Sequence, residues 1–168
     1  SRCNAYDGRG NYMIRKEADL EAAILALTPI IKADNIGDMP KNHLYVERVI
    51  PYAIEVSVMV AKCGKVLVSY PLVESLHVES ILRVVSTPTR LPAAVESQCI
   101  ELAKKAVDAL SGDAAHDAGI FGVEMFVSKE EGGMILLNEV APRPHNSGHY
   151  TLMGTSVSQF EMHLRAVL

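Results

Sequence analysis

Two strand-length apolar runs, Phe121 to Val127 and Met134 to Val140, flank a turn at Glu130 to Gly133, and each contains a carboxylate. Runs this short, bounded by glycine and charged residues, read as strands. The order is that of an antiparallel hairpin. If it is centred near Glu131, Glu124 and Glu139 lie directly opposite one another. Facing like charges repel, and a hard cation between them removes the penalty. Magnesium takes one or two carboxylates together with substrate phosphates. The competing reading is two glutamates on the wet face of a half-buried sheet.

The second strand runs straight into Asn138-Glu139-Val140-Ala141-Pro142-Arg143-Pro144-His145-Asn146-Ser147-Gly148-His149. Pro142 and Pro144 each fix a backbone angle, so the loop is stiff. A stiff loop carrying Arg, His and Asn at a strand end is where catalytic groups tend to sit. His145 and His149 have helical spacing, but the prolines and Gly148 argue against a helix, and no third ligand suggests zinc.

Elsewhere the chain alternates strand and helix signals. Tyr6 to Asn11 is a two-glycine turn, and Tyr12 to Ile14 a short strand. Lys16 to Leu27 reads as a helix stopped by Pro29. Leu44 to Val49, Ala53 to Ala61, Val66 to Tyr70, Leu72 to His77 and Leu82 to Ser86 read as strands, with a turn at 62–65. Pro92 opens a helix to Leu110, with Val95, Cys99, Leu102, Ala103, Ala106, Val107 and Leu110 as its apolar stripe and Gly112 as its cap. A last helix starts at Thr155 or Ser156 with Val157, Phe160, Leu164 and Val167 inward. The class is α+β, mostly antiparallel strands with helices on one side.

Composition excludes several classes. A formal charge of −4 and no basic cluster argue against nucleic acid. The longest apolar run, Val49 to Ala61, is broken by Pro51 and Glu55 and is too short for a bilayer. Cys3, Cys63 and Cys99 give neither a disulfide framework nor zinc spacing, which fits a reducing compartment. The start at Ser1-Arg2-Cys3 reads as cut from a longer chain.

Two weaker signals remain. Backbone N–H groups of the glycine turn can wrap phosphate oxygens, with Arg9 adding charge, although Asp7-Gly8 is equally a plain hairpin signal. Glu47 and Glu55 flank an apolar linker able to hold an adenine ring, or are solvated strand-end residues.

Together, Ala5-Tyr6-Asp7-Gly8-Arg9-Gly10-Asn11, Val46-Glu47-Arg48-Val49-Ile50-Pro51, Glu55, Tyr70-Pro71-Leu72-Val73-Glu74 with His77, the run Asn138 to His149, and Ser158-Gln159-Phe160-Glu161 carry a family resemblance. The chain resembles the ATP-dependent 5-(carboxyamino)imidazole ribonucleotide synthases of purine biosynthesis, also known as the ATPase subunit of phosphoribosylaminoimidazole carboxylase. The resemblance implies an ATP-grasp fold, ATP and magnesium. It implies that Ala5, Tyr6, Asp7, Gly8, Arg9, Gly10 and Asn11 cover the phosphates. Glu47, Arg48, Val49 and Ile50 would line the adenine, Glu55 the ribose, and His77 would also touch nucleotide. Glu124 and Glu139 would hold magnesium with Asn138 beside them, and Asn138 and Glu139 would also meet ATP. Arg143, His145, Asn146 and Ser147 would face the bicarbonate-derived intermediate and aminoimidazole ribonucleotide.

By the same resemblance, residues 1–168 are part of an ATP-grasp domain, without the family's N-terminal nucleotide-fold domain, C-terminal domain and phosphate-binding lysine. The isolated chain would then be inactive, and the full-length protein a cytoplasmic homodimer. Ala5, where bacterial members usually have glycine, is closer to plant and fungal forms, in which the synthase is fused to a mutase. Another ATP-grasp ligase and a non-catalytic nucleotide-binding module are the rival readings. Glu124, Glu139 and Arg143 together argue against a mere binder.

Overall fold

β1 (Tyr52–Cys63) organises the larger part of the molecule. It is long enough to pair with two strands along one side. Its first half meets β3 (Val73–Val78) through Glu55 to Ser57, and its last residues meet β2 (Val66–Ser69). Its other side pairs along its length with β5 (Gly119–Ser128), which pairs in turn with β6 (Ile135–Ala141). These pairs are antiparallel, and β4 (Ile81–Ser86) adds an edge, giving a six-stranded sheet ordered β4-β3-β1-β5-β6 with β2 beside β1.

The computed structural model describes residues 10–33, 44–78, 81–111, 118–128 and 133–168. They fall into two units, 1–49 with 79–81, and 50–78 with 82–168. The smaller holds a 3-10 turn, Glu17–Asp19, and α1 (Leu20–Ala33). Asp19 Oδ2 accepts the N–H groups of Arg15 and Lys16 at 3.0 and 3.2 Å, which ties down the approach to the helix. The helix therefore begins later than the apolar spacing suggested. It also passes through Pro29, which removes one N–H donor but keeps a helical φ.

Strand alternation explains the larger unit. Val56, Val58 and Val60 of β1 and Val123, Met125 and Val127 of β5 share one buried face. α2 (Ala93–Ser111) packs Cys99, Ala103 and Val107 against it. Leu110, placed in that stripe by its spacing, is instead exposed. On the opposite face Met59, Ala61 and Ile120 meet Met162 of α4 (Gln159–Val167). Helices thus cover both faces, not one.

α4 corrects the sequence expectation in phase. Ser158, not Thr155 or Ser156, is its cap and accepts the N–H of Glu161. Gln159 and Ala166 are buried, with Met162 and His163 partly so, while Phe160, Leu164 and Val167 are exposed. The inward residues keep the three-and-four spacing of a helix face, but a hydrogen-bonded glutamine leads it. Thr151–Gly154 forms a further short helix, α3.

Two expected strands are missing. Residues 11–15 and 45–50 lack regular structure, and Leu44 forms only an isolated bridge. Tyr45, Val46 and Val49 stay exposed, so the run gains no burial from a sheet neighbour. Glu130, Glu131 and Gly112 lie outside the described residues. Among the described residues, no helix is long and apolar enough to cross a membrane.

Candidate active site

The face of the sheet that carries Met59 and Ala61 turns polar at its other end. Counting back by twos along β1 gives Ser57 and Glu55. Register places Ser57 opposite Glu124 of β5, and Glu55 opposite Ser75 of β3. His77 follows Ser75 on the same face. Ligand atoms of Glu55, His77 and Glu124 consequently lie within 4.8 Å of one another.

Burial makes this cluster electrostatically tense. Glu55, Ser57 and Glu124 are all buried. Burial pushes the Glu55 carboxyl up to about 7. Burial, then the charge of Glu55, pushes Glu124 up to about 7 as well; His77 opposes the rise and Glu139 adds to it. His77 Nδ1 lies 3.0 Å from Glu55 Oε2, but the alignment is not that of a hydrogen bond. His77 Nδ1 and Glu124 Oε1 are buried without a hydrogen-bond partner. Neighbouring Ser57 and Ser75 satisfy one another, with their hydroxyl oxygens 2.9 Å apart.

β6 supplies the next wall. Glu139 is the register partner of Glu124, and the ladder then skips to Met125 opposite Leu137. Asn138 is therefore the extra residue of a bulge, facing the step from Glu124 to Met125. Bulges commonly re-aim side chains beside active sites. Glu139 is exposed where Glu124 is buried.

The loop after β6 returns over the sheet. His145 crosses Gly122 so closely that a Cβ on that glycine would stand 2.6 Å from the His145 Cβ. His145 Nδ1 lies 3.7 Å from Glu124 Oε1 and 2.9 Å from Ser147 Oγ. Asn146–Gly148 is a single 3-10 turn capped by His145. Arg143 points elsewhere: its guanidinium donates to the Pro144 carbonyl at 3.0 Å, and it is exposed, as is Asn146.

A cleft of about 290 Å³ opens beside the cluster, with Tyr52, Glu55, Ser75, His77, Glu74 and Arg90 in its wall. Its rim is braced by Arg90, whose Nε donates to Glu74 Oε2 at 2.9 Å and whose second guanidinium nitrogen donates at 2.6 Å.

Across residues 1–160 the sequence matches the ATP-grasp domain. The chain belongs to the ATP-grasp family. The domain is 44% identical over 169 residues to the phosphoribosylaminoimidazole carboxylase of Schizosaccharomyces pombe, covering 99% of this chain and 27% of that one. It is 36% identical to the N5-carboxyaminoimidazole ribonucleotide synthase of Bacillus subtilis, over 96% of this chain and 38% of that protein. The carboxyaminoimidazole ribonucleotide synthase of Aspergillus clavatus, solved with ATP, superposes with a TM-score of 0.80 at 39% identity, over 98% of this chain and 38% of that one. A second structure of that enzyme, with ADP and 5-aminoimidazole ribonucleotide, gives 0.77 at 38% identity, over 95% and 38%. The ATP-grasp domain thus spans well under half the length of the relatives it matches.

Within the larger unit the domain brings together Glu55, His77, Glu124, Glu139, His145 and Ser147, with Asn138 alongside. Ala5 to Arg9 lie outside the described residues, while Gly10 is in a turn at a φ of +88°. Gly10, Asn11, Glu47, Arg48 and Val49 belong to the smaller unit, and Ile50 opens the larger. Sequence reading missed Ser57, Ser75, Gly122 and Gln159. The first three lie two residues from Glu55, His77 and Glu124, so strand alternation would have found them. Nothing local marks Gln159 as buried.

Proposed function

We propose that the full-length protein carrying this ATP-grasp domain is an ATP-dependent carboxylase of 5-aminoimidazole ribonucleotide in purine synthesis. Bicarbonate attacks the γ-phosphorus of ATP and ADP leaves, giving carboxyphosphate. The exocyclic amine of the ribonucleotide then takes the carboxyl group, and phosphate and a proton depart. The observation that carries the reading is the convergence of Glu55, His77 and Glu124 beneath the loop of His145, in a chain whose sequence resembles that family throughout.

Phosphoryl transfer is mostly positioning and charge neutralisation, so carboxylates on rigid strands suit it by holding a cation that offsets the phosphate charge. Glu55 and His77, in the wall of the cleft, are assigned to the nucleotide. Glu47, Arg48, Val49 and Ile50 are assigned to the adenine, and Ala5 to Asn11 to the phosphates. Arg143, His145, Asn146 and Ser147 are assigned to the carboxyl intermediate and the ribonucleotide; Arg143 would have to leave the Pro144 carbonyl to reach either.

Magnesium fits the residues present. Glu124 offers a buried oxygen without a hydrogen-bond partner, and an all-oxygen donor set suits a hard cation. Glu124 and Glu139 would hold it, with Asn138 beside them. When bound, the ion neutralises phosphate charge. The reading also takes a cytoplasmic homodimer without nucleic-acid or membrane partners, supported by the family resemblance and by the formal charge of −4.

The test is ADP release by the full-length protein. Full turnover should need bicarbonate and the ribonucleotide together. Equal turnover without the ribonucleotide would sink the substrate assignment.

A further inference from the structure

We propose that Gln159 is a positioning residue that fixes the main chain of His145, and with it the polar loop between β6 and α3, for carboxyl transfer. The reaction rests on the function proposed above; the clamp rests on geometry alone. Gln159 opens α4 and is fully buried. Its Oε1 accepts the N–H of His145 at 2.9 Å. Its Nε2 donates to the His145 carbonyl at 2.9 Å and lies 3.1 Å from His149 Nδ1. One side chain thus takes both main-chain polar groups of a single residue, as a neighbouring strand would. His145 itself lies outside any strand.

The third contact fixes a tautomer. An amide nitrogen carries two protons and offers no lone pair. With one proton given to the His145 carbonyl, the other goes to His149 Nδ1. That nitrogen therefore accepts, which places the ring proton on Nε2. Both protons of the Gln159 amide and its oxygen find partners, so a buried polar group that would otherwise be costly becomes a fastening.

Gln159 is itself seated. Its N–H donates to Thr151 Oγ1 at 2.9 Å, and that hydroxyl donates to the Gly148 carbonyl at 2.6 Å. Gly148 leaves the space: a Cβ there would stand 2.3 Å from Gln159 Oε1 and 2.8 Å from Met59 Sδ. What the clamp holds is the ring of His145, between Ser147 Oγ and Glu124 Oε1 and against Gly122. A side chain that only filled space here would need no amide.

The test compares the full-length protein with Gln159→Leu and Gln159→Glu. In the Leu variant kcat should fall about 10- to 100-fold, the cost of misplacing a reacting group by about an ångström. The KM for ATP should stay at the wild-type value, because Glu55 and His77 are held by β1 and β3 and not by the loop that Gln159 fixes. Gln159→Glu keeps an acceptor for the His145 N–H and should lose less. Nitrogen-15 spectra of the histidines give a second readout. Wild-type His149 should show bare Nδ1 and protonated Nε2, and the Leu variant a mixture of tautomers. A folded Leu variant with wild-type kcat, or a wild-type His149 protonated at Nδ1, overturns the clamp. Should the Leu variant not fold, wild-type kcat and an unchanged His149 spectrum in Gln159→Glu overturn it equally. A wild-type protein that consumes no ATP with bicarbonate and ribonucleotide sinks the reaction instead, and the spectra still decide the clamp.

Discussion

Glu124 and Glu139 are register partners across β5 and β6, and Asn138 is the extra residue of the bulge beside them. Glu139→Gln in the full-length protein removes one charge from this pair at constant volume. Turnover should fall about 100-fold or more, since even residues one step removed from a metal cost 10- to 100-fold. Circular dichroism should be unchanged, because Glu139 is exposed. Near wild-type activity at ordinary magnesium would make the pair structural.

Without ligands the buried Glu124 costs stability. Burial first, and Glu55 second, hold Glu124 at about 7 in the fold, whereas an unfolded glutamate titrates near about 4.3. Between those values the unfolded chain ionises first, so stability falls as pH rises through that window and levels off above it. Glu124→Gln should make this slope shallower, leaving the part that buried Glu55 contributes, and leave the chelator-treated protein more stable at pH 8 by about 1–3 kcal/mol. Urea unfolding at pH 5 and pH 8 reads the difference; parallel losses in both proteins would contradict it.

Glu74 runs the other way. Hydrogen bonds from the Arg90 side chain hold its carboxyl below the usual range, against the opposing effect of burial. Its contribution is present above the unfolded value of about 4.3 and is lost as pH falls through the lower folded value. Glu74→Gln should therefore destabilise the protein at pH 7 and converge on wild type in acid. A constant offset across a denaturation series from pH 7 to pH 3 would show that packing, not charge, is lost.

Gly122→Ala inserts a methyl 2.6 Å from the His145 Cβ. The loop must move, at about 1–3 kcal/mol for overpacking, and His145 moves away from Glu124. Both the thermal midpoint and turnover of the full-length protein should drop. Full activity in a stably folded variant would mean that His145 has no fixed place in the reaction.

Strand alternation and the turn between two apolar runs were enough to pair Glu124 with Glu139 and to put Glu55 and His77 in strands, because side-chain direction in a strand repeats every two residues. The same rule would have given Ser57, Ser75 and Gly122. Helix phase was less legible. Hydrophobicity selected Phe160, Leu164 and Val167 for the inner face of α4, but the structure buried Gln159, since hydrogen bonds to both ends of its amide offset the cost of desolvation. The sequence by itself determined the six runs that pair in the sheet, the facing carboxylates, the stiff proline loop and the family. Only the tertiary structure decided that Glu55 comes close enough to Glu124 to add to the rise that burial gives its pKa. It also decided that His145 lies over Gly122 under the hold of Gln159. Both depend on which strands are neighbours and on how closely a loop returns, and those distances are set by packing between residues far apart in the chain.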